Sequence, residues 1–456
     1  MVETNKPRQT EDQRTAYEAV MNVISEEKGD ILFLDAPGRT GKTFLINLML
    51  AEIPSKRHIA LAVASSEIAS TLLDVGRTAH SALQLQLNLA QTENPVSKIS
   101  KSSGKAAILQ TCKLIVWDAC TMSKKKAFEA LDRTMRHLQN DNRIIGGVVI
   151  LLSGDFLQTL PVISMATPSD ELNAFFKASE LWQYVQRITL TNNMRVHVLG
   201  DISYENFAKQ LLSLGEGKLP TKYASDLFSI QSDFCVSIPS LKELIRHVFP
   251  VISNKYKDHH WLCERAILAP KNENVNKMNE IILQKLPENS ITYKFVEAVM
   301  DKEQAVYYPT EFLNPPGMPP HMLNLKVGSS IMLLRNLDTP KLCNGTRLCV
   351  SKLMANVIQA TILTGDKDES VFIPCIPIIP SDMPFEFKHF QFSVRLAFAI
   401  TINKAQGQSL RVAGINLETP SFSHGQLLNV LGWGFQGICS YMLQTARLKM
   451  PFIRKL

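Results

Sequence analysis

The sequence lacks the cysteine patterns that mark a metal site or a disulfide framework. Its eight cysteines are scattered along 456 residues, with no C-x-x-C pair and no histidine at ligand spacing, so neither a zinc site nor disulfide bonds are expected. Long apolar runs are also missing, because the longest, VVILL at 148–152, is far too short to span a bilayer. The first thirty residues are charged and polar. We therefore expect an intracellular protein in a reducing compartment, without a membrane or disulfide partner.

Strong net charge and internal repeats of fixed period are absent as well. The 49 Lys and Arg residues exceed the 42 Asp and Glu residues enough to give a formal charge of +7, a mild basic bias that suits nucleic acid without identifying it. Hydrophobic residues make up 45% and charged residues 20%, which argues against a disordered chain or a coiled coil. A globular chain of this length is predicted to form two or three domains.

The first two hundred residues alternate between apolar runs typical of strands and stretches typical of helices. The apolar runs are continuous rather than alternating in polarity, as expected for strands buried on both faces of a parallel sheet. Helical patterns follow Lys42 and begin at Lys124. The sequence therefore predicts an α/β domain with strands at 31–36, 58–65, 113–118 and 147–155.

Beyond about residue 195 the pattern is less regular. A helical stretch, ENFAKQLLSLGEG, precedes a candidate strand at 265–270, and the helical pattern VNKMNEIILQKL follows. A Pro-rich passage at 312–322 is typical of a connector. Short β-like runs separated by turns continue from 325 to about 392, which predicts a small all-β insertion before strand and helix patterns return.

The stretch ILFLDAPGRTGKTFLINLML combines a strand, a glycine-bearing loop and a helix. Loop amides and the helix N-terminus would bind phosphates, Lys42 would reach the β- and γ-phosphates, and Thr43 would offer its hydroxyl to Mg²⁺. Ala36 stands where the strict pattern opens with glycine. The combination favours a nucleotide site over a Gly-rich turn without a ligand.

Asp118, which ends the apolar run KLIVWD, would form the second half of this site. It would hold Mg²⁺ directly or through water. An isolated Asp after a strand is more typical of a turn or a cap, but its place in the same predicted sheet as the phosphate loop favours the metal. Thr10 to Gln13 has the spacing of a capping box, so spacing alone leaves open whether Gln13 caps a helix or contacts adenine.

Nine blocks occur in a fixed order between about residue 10 and about residue 428. They are EDQRTAYEAV, LDAPGRTGKTFLI, LAVASSEIASTLL with GRTAHS, LIVWDACTM, SGDFLQTLPVI, LTNNMRV, CERAILAPKNENVNKMNE, VGSSIMLLRNLDTPKLCNGTRL and RLAFAITINKAQGQSL. In this order they resemble the superfamily-one helicases of the Pif-one type, and most closely the helicase domain of Helitron rolling-circle transposons. The resemblance implies ATP-dependent 5′ to 3′ translocation on single-stranded DNA and duplex unwinding, with ATP and Mg²⁺ as cofactors. We also expect a nuclear monomer of the kind that serves DNA repair, recombination and telomere maintenance.

The resemblance implies an α/β fold of tandem RecA-like P-loop NTPase domains, with a small SH3-like β-barrel insertion in the second. The stretch 82–112, polar and rich in Ser and Lys, would be a wedge insertion or a flexible loop. The predicted limits are 1–190 for the first domain, 191–324 with 393–435 for the second, 325–392 for the insertion and 436–456 for a divergent tail.

The resemblance assigns nucleotide-site roles to residues at matching positions. Gln13 would contact adenine, Gln158 would sense the γ-phosphate, and Arg195 would reach over from the second domain as an arginine finger. The implied catalytic residues are Lys42, Asp118, Gln158 and Arg195, and the metal ligands are Thr43 and Asp118. The remaining nucleotide-binding positions are Gly38, Arg39, Thr40, Gly41, Phe44, Gln406 and Gly407.

Motifs that follow the backbone of a single DNA strand are implied in the same way. If each residue is considered without the other blocks, His80 would be a surface or turn histidine, Gln158 would be a polar loop residue and Arg195 would be a salt-bridge partner. The ordered set of blocks favours the functional roles. The implied DNA-binding residues are Ser65, Ser66, His80, Thr401, Asn403 and Lys404.

Several positions depart from the family pattern. Ala119 replaces a glutamate that polarises the attacking water, a role generally worth about two to four orders of magnitude in rate. Trp433 stands where a second arginine finger is usual, a group worth about three to five orders of magnitude. Smaller departures are Arg39 and Glu67, where glycine is usual, and Leu157, where arginine is usual.

The departures affect turnover more than binding. Residues that bind nucleotide and DNA are retained, while two that act mainly in the transition state are replaced, and such interactions need not affect affinity. The leading hypothesis is therefore a helicase that hydrolyses ATP slowly. The alternative is a non-hydrolysing ATP- and DNA-binding remnant of a transposon helicase. A small-molecule kinase or GTPase is disfavoured, because the sequence has no N-K-x-D motif and no acceptor lid.

Overall fold

The chain folds into two compact units in the computed structural model. The first comprises Met1–Phe228, Ser421–Gly432 and Lys449–Leu456, and the second comprises Ser229–Pro420 and Trp433–Leu448. The structure describes residues 2–38, 40–86, 92, 94–156, 158, 161, 163, 167–192, 194, 227–228, 236–294, 296–299, 318–339, 341–363, 369–378, 387–408, 410–419, 426, 439–443 and 448–449. Within these ranges, no helix is both long enough and apolar enough to cross a membrane.

A six-stranded parallel sheet forms the centre of the first unit. The strands of this unit are β1 (Ile31–Asp35), β2 (Ile59–Ala64), β3 (Arg77–Thr78), β4 (Cys112–Asp118), β5 (Val149–Gly154) and β6 (Val185–Thr189), followed by the short β7 (Leu227–Phe228). The sheet order is β3-β2-β4-β5-β1-β6, and each neighbouring pair is parallel. The four strands predicted from continuous apolar runs are confirmed as β1, β2, β4 and β5.

Helices cover both faces of this sheet, as the continuous apolar strands require. Phe33 and Trp117 belong to the buried cluster on one face, and Leu34 and Val116 belong to the cluster on the other. The helices of the first unit are α1 (Val2–Asn5), α2 (Glu11–Glu26), α3 (Lys42–Ser55), α4 (Glu67–Thr71), α5 (Ala79–Leu83), α6 (Gly104–Thr111), α7 (Lys125–Gln139) and α8 (Pro168–Ala174), with short 3₁₀ turns at Lys6–Arg8, Cys120–Met122, Ile144–Gly147, Phe176–Ala178 and Glu180–Tyr184.

The register brings the carboxyl ends of the central strands to one edge, where ligands of parallel sheets usually bind. Asp35 of β1 pairs with Gly154 of β5, and Ala64 of β2 pairs with Asp118 of β4. β5 lies between β4 and β1. A single strand end therefore separates Asp118 from the loop that follows β1.

The second unit combines a parallel sheet with antiparallel strands. Its helices are α9 (Leu241–Val248), α10 (Ile252–Lys255), α11 (His259–Cys263), α12 (Asn272–Gln284) and α13 (Ile402–Ala405). Its strands are β8 (Val236–Ile238), β9 (Arg265–Ala269), β10 (Ile291–Lys294), β11 (Val296–Val299), β12 (Met322–Leu325), β13 (Ser330–Leu333), β14 (Arg347–Leu353), β15 (Val357–Ile362), β16 (Ser370–Pro374), β17 (Ile376–Ile378), β18 (Phe387–Gln391), β19 (Val394–Leu396), β20 (Ala399–Thr401), β21 (Val412–Asn416) and β22 (Cys439–Leu443). The short strand β23 (Leu448–Lys449) follows them and pairs with β7.

The parallel sheet of this unit has the order β20-β9-β21-β22-β8. The order of the five-stranded antiparallel sheet is β16-β15-β14-β13-β19, and two smaller antiparallel sheets accompany it. The predicted α/β fold with a small β insertion is thereby confirmed, whereas the residue limits given for the domains remain predictions. The predicted helix ENFAKQLLSLGEG and most of the Pro-rich connector lie outside the described residues.

A buried arginine joins the antiparallel sheet to the parallel one. Arg347, the first residue of β14, is 1% exposed. Its guanidinium donates hydrogen bonds to the carbonyl oxygens of Leu262 and Cys263 in α11, both at 3.3 Å, and of Arg265 in β9, at 2.8 Å. Burial lowers the pKa of this guanidinium to about 10.

Candidate functional site

The phosphate loop turns sharply into α3 at Gly41. Its φ of 76° lies in the left-handed region, which favours glycine. The side chains of Gln13 and Met194 leave no room for a Cβ at this position. Thr40 is buried, and its hydroxyl donates a hydrogen bond to the Pro37 carbonyl oxygen at 3.0 Å. The loop therefore presents the first amides of α3, beginning with Lys42, Thr43 and Phe44, as an anion-binding helix N-terminus.

Lys42 and Asp118 meet at the carboxyl edge of the sheet. The Lys42 ammonium lies 3.2 Å from Asp118 Oδ1, and the two side chains are 20% and 6% exposed. Ser153 of β5 donates a hydrogen bond to the same oxygen at 2.5 Å. Burial lowers the pKa of Lys42, but the charge of Asp118 and its hydrogen bond outweigh this and hold the pKa above its usual value. The site thus keeps a charged ammonium beside a carboxylate.

Ala119 begins a tight turn immediately after Asp118. Its φ of 49° and ψ of 34° are left-handed, and it precedes the 3₁₀ turn Cys120–Met122. The residue is 7% exposed and belongs to the same apolar cluster as Ala36 and Ala64. A methyl group therefore occupies the position where the family resemblance implies a carboxylate.

A second carboxylate lies just beyond β5. Asp155 is 6% exposed, and its Oδ2 accepts a hydrogen bond from Gln158 Nε2 at 3.1 Å. The same amide nitrogen lies 3.9 Å from the point where a Cβ on Gly38 would stand. Gln158 is therefore placed beside the phosphate loop, and its role as a sensor of the γ-phosphate remains a prediction.

Gln13 is fully buried against the phosphate loop. Its Oε1 accepts a hydrogen bond from the Thr10 amide at 3.2 Å, as expected for a capping box. Its Nε2 donates to the Thr40 carbonyl oxygen at 2.8 Å. Both ends of the side-chain amide are thus engaged in the described structure, and adenine contact by Gln13 remains a prediction.

Sequence reasoning missed three residues of this site. Ser153 and Asp155 flank Gly154 in the block SGDFLQTLPVI, from which only Gln158 was selected. The rule that located Asp118, a polar residue at the end of a buried strand, would also have found these two. Cys120 has no comparable sequence signal, and burial raises the pKa of its thiol well above the usual value.

The predicted DNA-binding residues of the first unit follow β2 and β3. Ser65 Oγ accepts a hydrogen bond from Trp117 Nε1 at 3.0 Å and lies 2.7 Å from Ser123 Oγ. The Ser66 hydroxyl caps α4, and His80 lies exposed on α5. The Ser65 side chain is thus tied to the end of β4, whereas the His80 imidazole is accessible.

The predicted residues of the second unit cluster around α13. Thr401 ends β20, Asn403 and Lys404 lie in α13, and Gln406 and Gly407 follow it. Gly407 has a φ of 87°, which only glycine adopts readily. The whole motif therefore forms one compact helix and turn.

Some predicted positions cannot be placed. Arg39 and Arg195, together with the departures at Leu157 and Trp433, lie outside the described residues. The catalytic role of Arg195 and the effect of Arg39 on nucleotide binding therefore remain predictions.

The parallel sheet, the loop leading into α3 and the Lys42–Asp118 pair define a P-loop nucleotide-binding protein. A family model described as PIF1-like helicase matches residues 8–225, a little under half of the chain. A second model, described as the 2B domain of DNA helicase Pif1, matches residues 310–353.

Curated relatives include the ATP-dependent DNA helicases PIF1 of Candida albicans and Xenopus laevis. Both are 24% identical to this chain, over 348 and 416 residues that make up 75% and 90% of it. The matches cover 34% and 58% of these two relatives. The chain thus corresponds to only part of each curated protein.

Solved structures of Pif1 helicases are similar to this chain in fold. The crystal structure of Pif1 helicase from Candida albicans has a TM-score of 0.70 at 19% identity and covers 98% of this chain and 97% of its own. The crystal structure of Pif1 helicase from Bacteroides in complex with ADP-AlF3 and single-stranded DNA has a TM-score of 0.64 at 20% identity, with 95% and 92% covered. These similarities support the tandem RecA-like architecture.

Proposed function

We propose that this chain is an ATP-dependent DNA helicase that moves 5′ to 3′ along single-stranded DNA and opens duplexes. The observation that carries the proposal is the Lys42 ammonium 3.2 Å from the Asp118 carboxylate, next to the N-terminus of α3. In this role Lys42 would bind the β- and γ-phosphates and Gln158 would sense the γ-phosphate. Relatives named as ATP-dependent DNA helicases support the reaction class.

The residues beside Lys42 fit a magnesium ion bound together with the nucleotide. Mg²⁺ is usually held by one or two protein oxygens, with phosphates and waters completing its shell. The Thr43 hydroxyl and the Asp118 carboxylate provide such oxygens. Bound there, the ion would neutralise phosphate charge.

Single-stranded DNA would be bound by the predicted residues of both units. These contacts would be to phosphates, so affinity should fall steeply with salt. A Pif1 helicase from Bacteroides has been solved bound to single-stranded DNA, which supports this partner. We further propose that the protein is a nuclear monomer related to Helitron helicases. We also propose the domain limits that were predicted from the sequence.

Turnover is proposed to be slow, because Ala119 and Trp433 replace groups that act in the transition state. Single-turnover hydrolysis of radiolabelled ATP in the presence of single-stranded DNA tests this directly. We expect a rate well below about one per second, a typical lower limit for enzymes. Unwinding of a forked duplex should require a 5′ tail, and Lys42→Ala should abolish both ATP binding and unwinding.

A second candidate is favoured by the buried methyl of Ala119. In this alternative the chain binds ATP and DNA without hydrolysis, and ATP changes its affinity for DNA. Tight binding of a non-hydrolysable ATP analogue and of DNA, with no phosphate release, would favour this candidate over the helicase. A hydrolysis rate of one per second or faster would contradict both the slow helicase and the non-hydrolysing protein.

A further inference from the structure

Position 119 leaves the proposed ATP site without the water-orienting carboxylate that the family resemblance implies there. The Ala119 side chain ends at Cβ inside an apolar cluster. Hydrolysis still benefits from a group that orients the attacking water and takes its proton. A carboxylate elsewhere on the same sheet edge could supply that group.

Asp155 is held between the two halves of the site. It lies one residue beyond β5, the strand between the Asp118 strand and the phosphate-loop strand. On one side, Ser153 of the same strand is hydrogen-bonded to Asp118. On the other, Gln158 Nε2 contacts Asp155 Oδ2 at 3.1 Å and lies beside Gly38. The carboxylate is therefore buried next to the space that the γ-phosphate would occupy.

The other carboxylates at the ends of the central strands are engaged differently. Asp35, at the end of β1, forms an ion pair with Arg187 at 2.5 Å, and the Arg187 side chain is 57% exposed. Asp118 is bound by Lys42 and Ser153 and is the proposed metal ligand. Asp155, which directly follows β5, is the third acid at these strand ends, and its Oδ2 accepts a hydrogen bond from Gln158.

We propose that Asp155 orients the attacking water and accepts its proton during ATP hydrolysis, in place of the glutamate missing at position 119. The inference rests on the proposed function, because it concerns the same nucleotide site. It would give the proposed slow hydrolysis a proton acceptor despite Ala119.

In the proposed step, the water oxygen forms a bond to the γ-phosphorus. The bond from that phosphorus to the β–γ bridging oxygen breaks, and the bridging oxygen keeps the electron pair as a terminal oxygen of ADP. The water proton passes to the Asp155 carboxylate and then to solvent. The products are ADP and inorganic phosphate, so no further reactant is needed.

The test compares Asp155→Asn with the wild type in single-turnover ATP hydrolysis on single-stranded DNA. Asparagine has nearly the same size and still accepts a hydrogen bond, but it cannot take the proton at neutral pH. We expect the rate to fall by about ten-fold to a hundred-fold or more. Affinity for a non-hydrolysable ATP analogue, measured by calorimetry, should change by less than about three-fold, because the proton acceptor acts in the transition state.

Two further variants identify the cause of the loss. Asp35→Asn removes a carboxylate from the same sheet edge and should leave the rate unchanged. Ala119→Glu in the Asp155→Asn background restores a carboxylate at the usual position and should recover the rate. Thermal unfolding of every variant shows whether each one is folded.

Each other outcome overturns the proposal. An unchanged rate in Asp155→Asn, or loss of analogue binding together with the rate, would remove Asp155 from the chemical step. A loss that Ala119→Glu does not rescue would leave Asp155 with only a positioning role through Gln158. A wild-type chain that binds the analogue but never hydrolyses ATP would overturn both this inference and the helicase reaction, whereas failure of Asp155→Asn alone leaves the proposed function intact.

Discussion

The Lys404 ammonium donates a hydrogen bond to Asn344 Oδ1 at 2.8 Å. Asn344 lies in the turn between β13 and β14 of the antiparallel sheet, and Asn336 Oδ1 accepts a hydrogen bond from its amide at 2.7 Å. Lys404 belongs to α13, which follows the parallel strand β20. The position of a proposed DNA-binding lysine is therefore partly set by a turn some sixty residues earlier in the chain.

The variant Asn344→Asp should weaken single-stranded DNA binding. The new carboxylate would pair with Lys404 and compete with a DNA phosphate for the ammonium. We expect the affinity for DNA at low salt to fall by about ten-fold. The slope of log affinity against log salt concentration should decrease in magnitude by about one, which corresponds to the loss of one phosphate contact. Fluorescence anisotropy with a labelled oligonucleotide over a range of salt concentrations measures both quantities.

Two comparisons make this result specific. Lys404→Gln should reduce the salt slope by the same amount. The double variant, with both substitutions, should reduce it little further. Lys352→Gln removes an exposed lysine from β14 and should have a smaller effect. A salt slope for Asn344→Asp equal to that of the wild type would contradict a phosphate contact by Lys404.

The variant Ala119→Glu should speed ATP hydrolysis in the otherwise wild-type chain. A well-placed water-orienting group contributes about 10²–10⁴ in rate, but if Asp155 already supplies part of this effect, the gain should be nearer ten-fold. The left-handed backbone at 119 disfavours alanine and glutamate alike, so little change in local strain is expected. Single-turnover kinetics measures the gain, and Ala119→Gln, which lacks the basic carboxylate, should not reproduce it.

Acid should destabilise the first unit through Glu52. Burial raises the pKa of this carboxyl, but hydrogen bonds from Lys6, Tyr17 and Lys56 outweigh it and lower the pKa to about 2. A carboxyl whose pKa is lower in the folded state contributes stability above its usual value of 4.5, and this is lost as pH falls toward 2. Glu52→Gln should therefore cost about 1–3 kcal/mol near pH 7 and progressively less below pH 4.5.

Urea denaturation between pH 7 and pH 4 tests this expectation. The difference in unfolding free energy between the wild type and Glu52→Gln should shrink as the pH is lowered. Glu18→Gln, at an exposed position of α2, should show a much smaller difference at either pH. A difference that is independent of pH would argue against a role for the Glu52 charge.

Removal of the Arg347 guanidinium should destabilise the second unit. Arg347→Met fills a similar volume but leaves the carbonyl oxygens of Leu262, Cys263 and Arg265 without this donor. Unsatisfied buried acceptors cost about 1–3 kcal/mol each before relaxation, so a total loss of about 2–4 kcal/mol is expected. Arg347→Lys should not rescue stability, because an ammonium lacks the planar fork that reaches three acceptors.

Denaturant unfolding of the full chain, followed by tryptophan fluorescence, measures the effect, since Trp261 lies in α11. Lys352→Met is the control for loss of a cation from the same strand. An Arg347→Met variant as stable as the wild type would show that the three carbonyl oxygens find other donors.

The first parallel sheet was predictable because its strands are continuously apolar. That pattern depends only on burial of both faces of the sheet, and short runs such as ILFLD and KLIVWD are enough to show it. The strand order was not predictable in the same way, since it depends on contacts between distant segments. Asp118 could be selected because it ends a predicted strand, but the role proposed for Asp155 depends on the place of β5 between β4 and β1.

Backbone conformation and buried polar contacts were also beyond the sequence pattern. The left-handed conformation of Ala119 could not be predicted, because the position carries neither glycine nor asparagine, the residues that usually indicate it. Gln13 satisfied a capping-box spacing, and only the fold showed that its amide also reaches Thr40. Arg347 lies between the polar turn NGT and the apolar run LCV, where nothing local indicates that its partners are main-chain carbonyls of α11 and β9.

The buried guanidinium of Arg347 has a mechanical consequence. It is anchored at once to the end of a helix and to the start of a strand in the parallel sheet, although it belongs to the antiparallel sheet. The two sheets cannot swivel independently without breaking these three links. A force applied to the antiparallel strands would therefore be transmitted through Arg347 to β9, and the two sheets of this unit should resist movement relative to each other.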